Sequence, residues 1–287
     1  MVKKEDKRYH ERPMRRVNLL PNLITAFGLA CGLFVIFRTF TLPEQSAYQL
    51  LYSSSLLLLL AAFADVLDGA VARVLKFESE FGALFDSLAD SVSFGVAPAI
   101  LLLRTLQPEH GTPMSFFAIV AAITYSICGV LRLVRYNVKA HDAKKSSNLR
   151  DYQKNFSGLP IPAAAGSAVA LNFFLASPLA QSWFDLSETF TGWFLIGSMA
   201  VIGLLMISKV RFPSLKTLHF RVHASYLVVL TALGAMLLLY GILHTFSLVL
   251  IILTWGYIFI GCLLTVIRLL AGKRSKSLAD FDPTDDE

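Results

Sequence analysis

Apolar positions fill this chain in long continuous runs, and polar positions gather in the short stretches between them. A helix crossing a bilayer needs about 20 mainly apolar residues, because the hydrocarbon core is ~30 Å thick and a helix rises ~1.5 Å per residue. Eight runs meet or approach that length: residues 19–40, 47–67, 83–103, 115–136, 159–176, 193–207, 224–243 and 246–270. The sixth is short and glycine-interrupted, and the last two are separated by a very tight turn. None has the weak alternation of a barrel strand, and helices satisfy every backbone group in lipid without closing a barrel. The pattern predicts an all-α protein, a polytopic helical membrane bundle of about eight transmembrane helices.

Composition supports this reading. Hydrophobic residues make up 55% of the chain and charged ones only 16%, against about 25% charged in soluble domains. At ~150 residues per soluble domain the length would suggest two, but that prior does not carry over to a membrane bundle. One domain is expected, spanning 19–271. It follows a basic juxtamembrane segment, 1–18, and precedes a tail, 272–287, whose acidic end predicts a solvated, disordered stretch. The net charge of +6 does not indicate nucleic acid, because the basic residues lie between apolar runs and form no single module. Their distribution sets an orientation instead. Of the 26 Lys and Arg, 24 fall on one side of the predicted bundle, in residues 1–18, 68–82, 132–157, 209–223 and 268–287, leaving Arg38 and Arg104 on the other. That side, with both termini, is expected to face the cytoplasm from a cell inner membrane. The N-terminal basic residues set topology and could lie along anionic lipid, at ~1 kcal/mol each. Residues 1–17 are too charged for a cleavable signal peptide. Cys31, Cys128 and Cys262 sit in apolar runs without zinc-ligand spacing, so they read as small packing residues.

Against this background four acids stand out. The second run ends in Asp65-Val-Leu-Asp68-Gly69-Ala-Val-Ala72-Arg73, and the third opens with Gly82, Asp86 and Asp90. Spacings of three and four put each acidic pair on one helical face. The short linker makes the two helices antiparallel neighbours, so all four carboxylates can converge at one depth, just inside the cytoplasmic surface. Each charge at a span centre would cost ~2.5–3.5 kcal/mol; a place near the interface lowers this, but mutual repulsion remains. Arg73 supplies one compensating charge, and bound cations are the natural remainder. Oxygen-only ligands select hard ions, Mg²⁺ or Mn²⁺, and two carboxylate pairs could hold two of them, an arrangement suited to phosphoryl displacement. The plainer alternative is helix-end acids paired with nearby Lys and Arg, with Gly69, Ala72 and Gly82 as packing residues.

The eight positions Asp65, Asp68, Gly69, Ala72, Arg73, Gly82, Asp86 and Asp90 match in type and spacing a signature that resembles that of the CDP-alcohol phosphotransferases. The resemblance implies an intramembrane site for two divalent metals, a CDP-linked lipid donor, CMP as leaving group and a homodimer. Carried onto this chain, it implies that Asp65, Asp68, Asp86 and Asp90 ligate metal and that Asp90, with Asp86, serves catalysis by taking the proton of the attacking hydroxyl. It implies too that Asp65, Gly69, Ala72 and Gly82 line the CDP pocket and that Arg73 contacts its phosphates.

Further segments are similar to one branch of that family, the phosphatidylserine synthases: residues 19–25, 132–138, 156–165 and 206–213. The implied substrates are CDP-diacylglycerol and L-serine. Serine brings a carboxylate that needs a cation, and Arg132 and Arg135, three apart on one face, are candidates for a two-point grip, with Asn137 completing the pocket. Both arginines could equally be topology markers. A sibling enzyme using glycerol 3-phosphate, inositol phosphate or another alcohol remains open, because Lys144, Lys145 and Arg150 could hold a phosphorylated acceptor. A transporter is disfavoured by acids at one surface and by the lack of an internal repeat, and a scaffold gives no reason for the acid spacing. His219 and His223 lack the glutamate of a zinc protease motif, and no His is followed two residues later by Lys, so a covalent phosphatidyl-histidine route lacks its residues.

Overall fold

The computed structural model describes residues 19–41, 46–74, 79–146, 158–184, 186–208, 210, 241 and 244–271. Among them the chain is helical and has no strand. In chain order the helices are α1 (Leu19–Thr41), α2 (Ala47–Val74), α3 (Glu80–Asp90), a π-helical turn (Ser91–Val96), α4 (Ala97–Leu106), α5 (Pro113–Ser146), α6 (Ile161–Leu175), α7 (Pro178–Trp183), α8 (Glu188–Ile207) and α9 (Phe246–Ala271). Six stretches are long and apolar enough to span a membrane: α1, α2, α3 through α4 as one span, α5, α8 and α9. Large apolar side chains such as Phe34, Phe37, Leu204, Ile252 and Phe259 are exposed on several of these helices, the surface expected where lipid replaces water.

The expected eight spans are thus found as six, plus the shorter apolar helix α6. Apart from residue 241, the span expected at 224–243 lies outside the described residues, as do the segments 1–18 and 272–287. The sixth expected run is longer than its hydropathy suggested. Ser187 caps α8 by accepting the Phe190 N–H, and the helix extends from Glu188 for 20 residues. Polar Thr189 and Thr191 had masked its first turns. The approach to α6 around Gly158 is non-helical: Pro160 is the N-cap of α6 and Pro162 stands in its first turn. Gly158 has φ of +100°, and a Cβ there would meet the Met206 carbonyl oxygen at 2.3 Å. Its N–H donates to Val210 O at 2.9 Å, and the Leu159 N–H donates to Leu205 O at 3.1 Å, tying this approach to the end of α8.

α1 packs along α2 and also touches α3, the π turn and α4, whereas α2 and α3 make little backbone contact with each other. α2 and α3 nevertheless face each other, and Asp65, Asp68 and Asp86 present oxygens within 4.8 Å of one another across the interval between them. α1 stands against both, and a gap is left between them. α5 packs on α8, and α6 is held between α2, α8 and α9. Their shared core includes Tyr125, Leu159, Ile161, Ala164, Ile202 and Met206.

Candidate functional site

α2 carries the first acidic pair in its last third. Its 28 residues rise about 42 Å, some ~12 Å more than a hydrocarbon core, so Asp65 and Asp68 fall near one end of the span. The second pair stands on α3, whose first turn is fixed by Ser79. That N-cap side chain accepts the Gly82 N–H at 2.9 Å, satisfying a donor that helix geometry leaves free. Three acids, Asp65, Asp68 and Asp86, each present an oxygen within 4.8 Å of the others. Asp90 lines the same cleft, outside that group of three. Thr25, Gly28 and Leu29 of α1 and Ser93 and Phe94 of the π turn complete the wall.

The chemistry of this donor set fits a hard divalent cation. Ion-to-oxygen distances of ~2.1 Å put ligand oxygens no more than about 4.2 Å apart across an octahedron, so the three carboxylates need only a slight closing to share one ion. Asp68 is the buried member, 5% exposed, and the Thr25 hydroxyl donates to its Oδ2. Thr25 was not singled out from sequence. It is a polar residue in an apolar run, inside the 19–25 segment noted only for its likeness to other chains. Its signal was available only as a misplaced hydroxyl.

The π turn begins where Asp90 ends α3. A π turn carries one extra residue and leaves carbonyls out of α register, and side chains from neighbouring helices take them up. The Tyr125 hydroxyl donates to Phe94 O at 2.8 Å, and Ser126 Oγ donates to Gly95 O at 2.9 Å. Ser93 Oγ donates to Gly28 O at 3.3 Å across to α1. That crossing is tight, because a Cβ on Gly32 would lie 2.7 Å from Ser93 Cα. The turn behind the acids is therefore anchored from α1 and α5 together.

The remaining expected residues divide. Gly69 is exposed, and a Cβ added there would meet nothing within 4 Å. Ala72 is half-buried one turn further along α2; Arg73 lies on the same helix, with its side chain outside the described residues. A Cβ on Gly82 would lie 3.3 Å from the side-chain oxygen of Asn22 on α1, a second neighbour not expected from sequence. Arg132 on α5 is half-buried, close enough to Asp90, Tyr136 and Tyr257 for electrostatic interaction, and its Nε is buried without a hydrogen-bond partner. Arg135 is exposed and donates through Nη1 to Ile207 O at 3.1 Å, at the end of α8. Asn137 Nδ2 donates to Ser87 Oγ at 2.9 Å, joining α5 to α3 between the two acids of that helix. The three cysteines are free thiols, Cys31 and Cys128 buried and Cys262 half-buried.

The family model for CDP-alcohol phosphatidyltransferase matches residues 18–204, which include all four acids. A CDP-diacylglycerol–serine O-phosphatidyltransferase of Mycobacterium leprae is 34% identical over 227 residues, covering 78% of this chain and 69% of the relative. A Bacillus subtilis protein of the same name is 32% identical over 209 residues, 73% of this chain and 95% of the relative. Another, from Methanocaldococcus jannaschii, is 34% identical over 200 residues, 70% and 76% of the two chains.

Proposed function

This chain belongs to the CDP-alcohol phosphatidyltransferase family, and from that premise we propose that it transfers the phosphatidyl group of CDP-diacylglycerol to the hydroxyl of L-serine, yielding phosphatidylserine and CMP. The observation that carries the reading is the convergence of the Asp65, Asp68 and Asp86 carboxylates in a cleft that Asp90 also lines. The names of the relatives from M. leprae, B. subtilis and M. jannaschii support serine as the acceptor.

In this reading Asp65, Asp68, Asp86 and Asp90 hold two divalent ions, Mg²⁺ or Mn²⁺. When bound, these ions neutralise the donor pyrophosphate and the charge that develops on departing CMP. Thr25 keeps the Asp68 carboxylate aimed into the cleft. Gly69, with open space around it, admits the donor against the α2 backbone, and Ala72, Arg73 and Gly82 border the nucleotide. The serine Oγ attacks the phosphorus that bears the diacylglycerol, the bond from that phosphorus to the CMP oxygen breaks, and the serine proton passes to Asp90. A carboxylate set apart from the tight group of three suits that role. Arg132, within electrostatic reach of Asp90 and with an unpartnered Nε, takes the serine carboxylate. Arg135 and Asn137 hold α5 against α8 and α3 around that pocket. The enzyme works as a homodimer with its site at the cytoplasmic face of the inner membrane.

The test is CMP release by purified protein with CDP-diacylglycerol and Mn²⁺, offered serine, glycerol 3-phosphate or inositol. Release with serine alone is the expected outcome. Release with another acceptor instead would refute serine while keeping the family chemistry. No metal-dependent release with any acceptor would overturn the enzymatic reading.

A further inference from the structure

Two hydrogen-bonded crosspieces fasten α5 to α3 and the π turn, and Arg132 stands between them. The outer one joins Asn137 Nδ2 to Ser87 Oγ at 2.9 Å. In the inner one the Tyr125 hydroxyl donates to Phe94 O at 2.8 Å and Ser126 Oγ to Gly95 O at 2.9 Å. Between the two levels Arg132 comes within electrostatic reach of Asp90, its Nε buried and without a hydrogen-bond partner. The order along each helix agrees. Asp90 follows Ser87 by three residues and precedes Phe94 by four, while Arg132 stands five before Asn137 and seven after Tyr125. Seven residues make about two turns, so Tyr125 and Arg132 share one face of α5, about 10 Å apart along its axis. Gly129 lies between them and lets the backbones approach: a Cβ there would stand 3.7 Å from Gly95 Cα.

The inner crosspiece answers a gap in the backbone. In an α-helix the Phe94 carbonyl would accept the N–H of residue 98, which is Pro98 and has none. The Tyr125 hydroxyl supplies a donor instead. Tyr125 is fully buried, and its backbone is fixed from the other side by α8, where a Cβ on Gly203 would stand 3.0 Å from Tyr125 Cα. A phenylalanine would fill nearly the same space, so what the hydroxyl adds is register. We infer that Tyr125 is a positioning residue for the acceptor: by fixing α5 against the π turn, it sets the interval from Asp90 to Arg132, and with it the span between hydroxyl and carboxylate that an acceptor must have. The inference rests on the proposed function, in which Asp90 takes the hydroxyl proton and Arg132 the carboxylate. Serine has two carbons between those groups, and homoserine has three. An interval held at both ends suits the first and misplaces the hydroxyl of the second, and one surplus methylene is worth about tenfold or more in such a selection.

What decides it is the ratio of kcat/KM for L-serine to that for L-homoserine, measured as CMP release by the full-length protein with CDP-diacylglycerol and Mn²⁺. Wild type should favour serine by about tenfold or more. Tyr125→Phe keeps the ring and removes the hydroxyl. The ratio should then fall about fivefold, the net worth of one neutral hydrogen bond, through a loss with serine that homoserine does not share. Ser126→Ala should move the ratio the same way, which keeps the inference falsifiable should Tyr125→Phe fail to fold. In both variants the KM for CDP-diacylglycerol, and Mn²⁺ binding followed by electron paramagnetic resonance, should stay at wild-type values, because Asp65, Asp68 and Asp86 lie outside the crosspiece. A ratio unchanged in folded variants, through equal losses or none, would make Tyr125 an ordinary packing residue and overturn the inference. Weakened Mn²⁺ binding, or a wild type indifferent to the extra methylene, would overturn it too. In each of these cases the function stands so long as wild type releases CMP with serine. Absence of that release overturns both.

Discussion

Two helix crossings in this molecule use the same small residues and reach opposite ends. Where α5 meets α8, Gly203 lies so close to Tyr125 that a Cβ would stand 3.0 Å from its Cα, and Gly192 packs on Met114. Where α2 faces α3, Gly69 has nothing within 4 Å, the backbones stay apart, and three carboxylates occupy the interval. In lipid no hydrophobic force draws helices together, so close approach depends on small residues and good packing. The first crossing uses that possibility fully. The second is held open by α1, which packs against both helices and contributes Thr25 to the interval. A glycine beside a neighbouring backbone is a contact, and a glycine beside a cluster of acids is a space. Which one results is decided by the third helix.

The comparison can be broken most severely at the acids. Asp65→Asn removes one of the three convergent carboxylates and should lower kcat about 10³-fold, comparable to losing a key electrostatic group at a reacting centre. Mn²⁺ binding, followed by electron paramagnetic resonance, should weaken in parallel. Loss of turnover with unchanged Mn²⁺ binding would separate Asp65 from the metal. Next in size is Gly32→Val, at the tight crossing of α1 with the π turn. A Cβ there would meet Ser93 Cα at 2.7 Å, and overpacking of this kind costs ~1–3 kcal/mol, read as a lower midpoint of thermal unfolding in detergent. An unchanged midpoint would mean that α1 is free to shift. Comparable in size is Thr25→Val, which removes the hydroxyl donated to Asp68. A hydrogen bond to a charged group is worth ~1.5–3 kcal/mol, so a loss of at least about tenfold in kcat/KM is expected, with Thr25→Ser restoring it. Failure of serine to rescue would show that the methyl packing matters more than the hydrogen bond.

Much of the architecture was legible in the chain because spans advertise themselves by length and hydropathy. The ends were less so. The first turns of α8 were missed because Ser187 and the threonines that follow lower local hydropathy while capping and continuing the helix. The site was legible in part: spacings of three and four put Asp65 with Asp68, and Asp86 with Asp90, on single faces. That Asp90 lines the same cleft without joining the group of three within 4.8 Å was not legible. It stands at the last residue before a π turn whose carbonyls are held by Tyr125, Ser126 and their neighbours, and no local pattern announces such a turn.

The sequence by itself determined that this chain forms apolar helices of spanning length, and that four acids sit in two pairs at neighbouring helix ends. Helical periodicity and hydropathy are properties of a single segment, so both follow from the order of residues. The tertiary structure decided that α1 stands against both α2 and α3, that Thr25 meets Asp68, that Arg132, with a buried and unpartnered Nε, comes within electrostatic reach of Asp90, and that Phe94 lines a second cleft besides the acidic one. These depend on which helices pack together and how closely. That choice is a sum of many weak contacts between segments distant in the chain, and it becomes visible only when they are assembled.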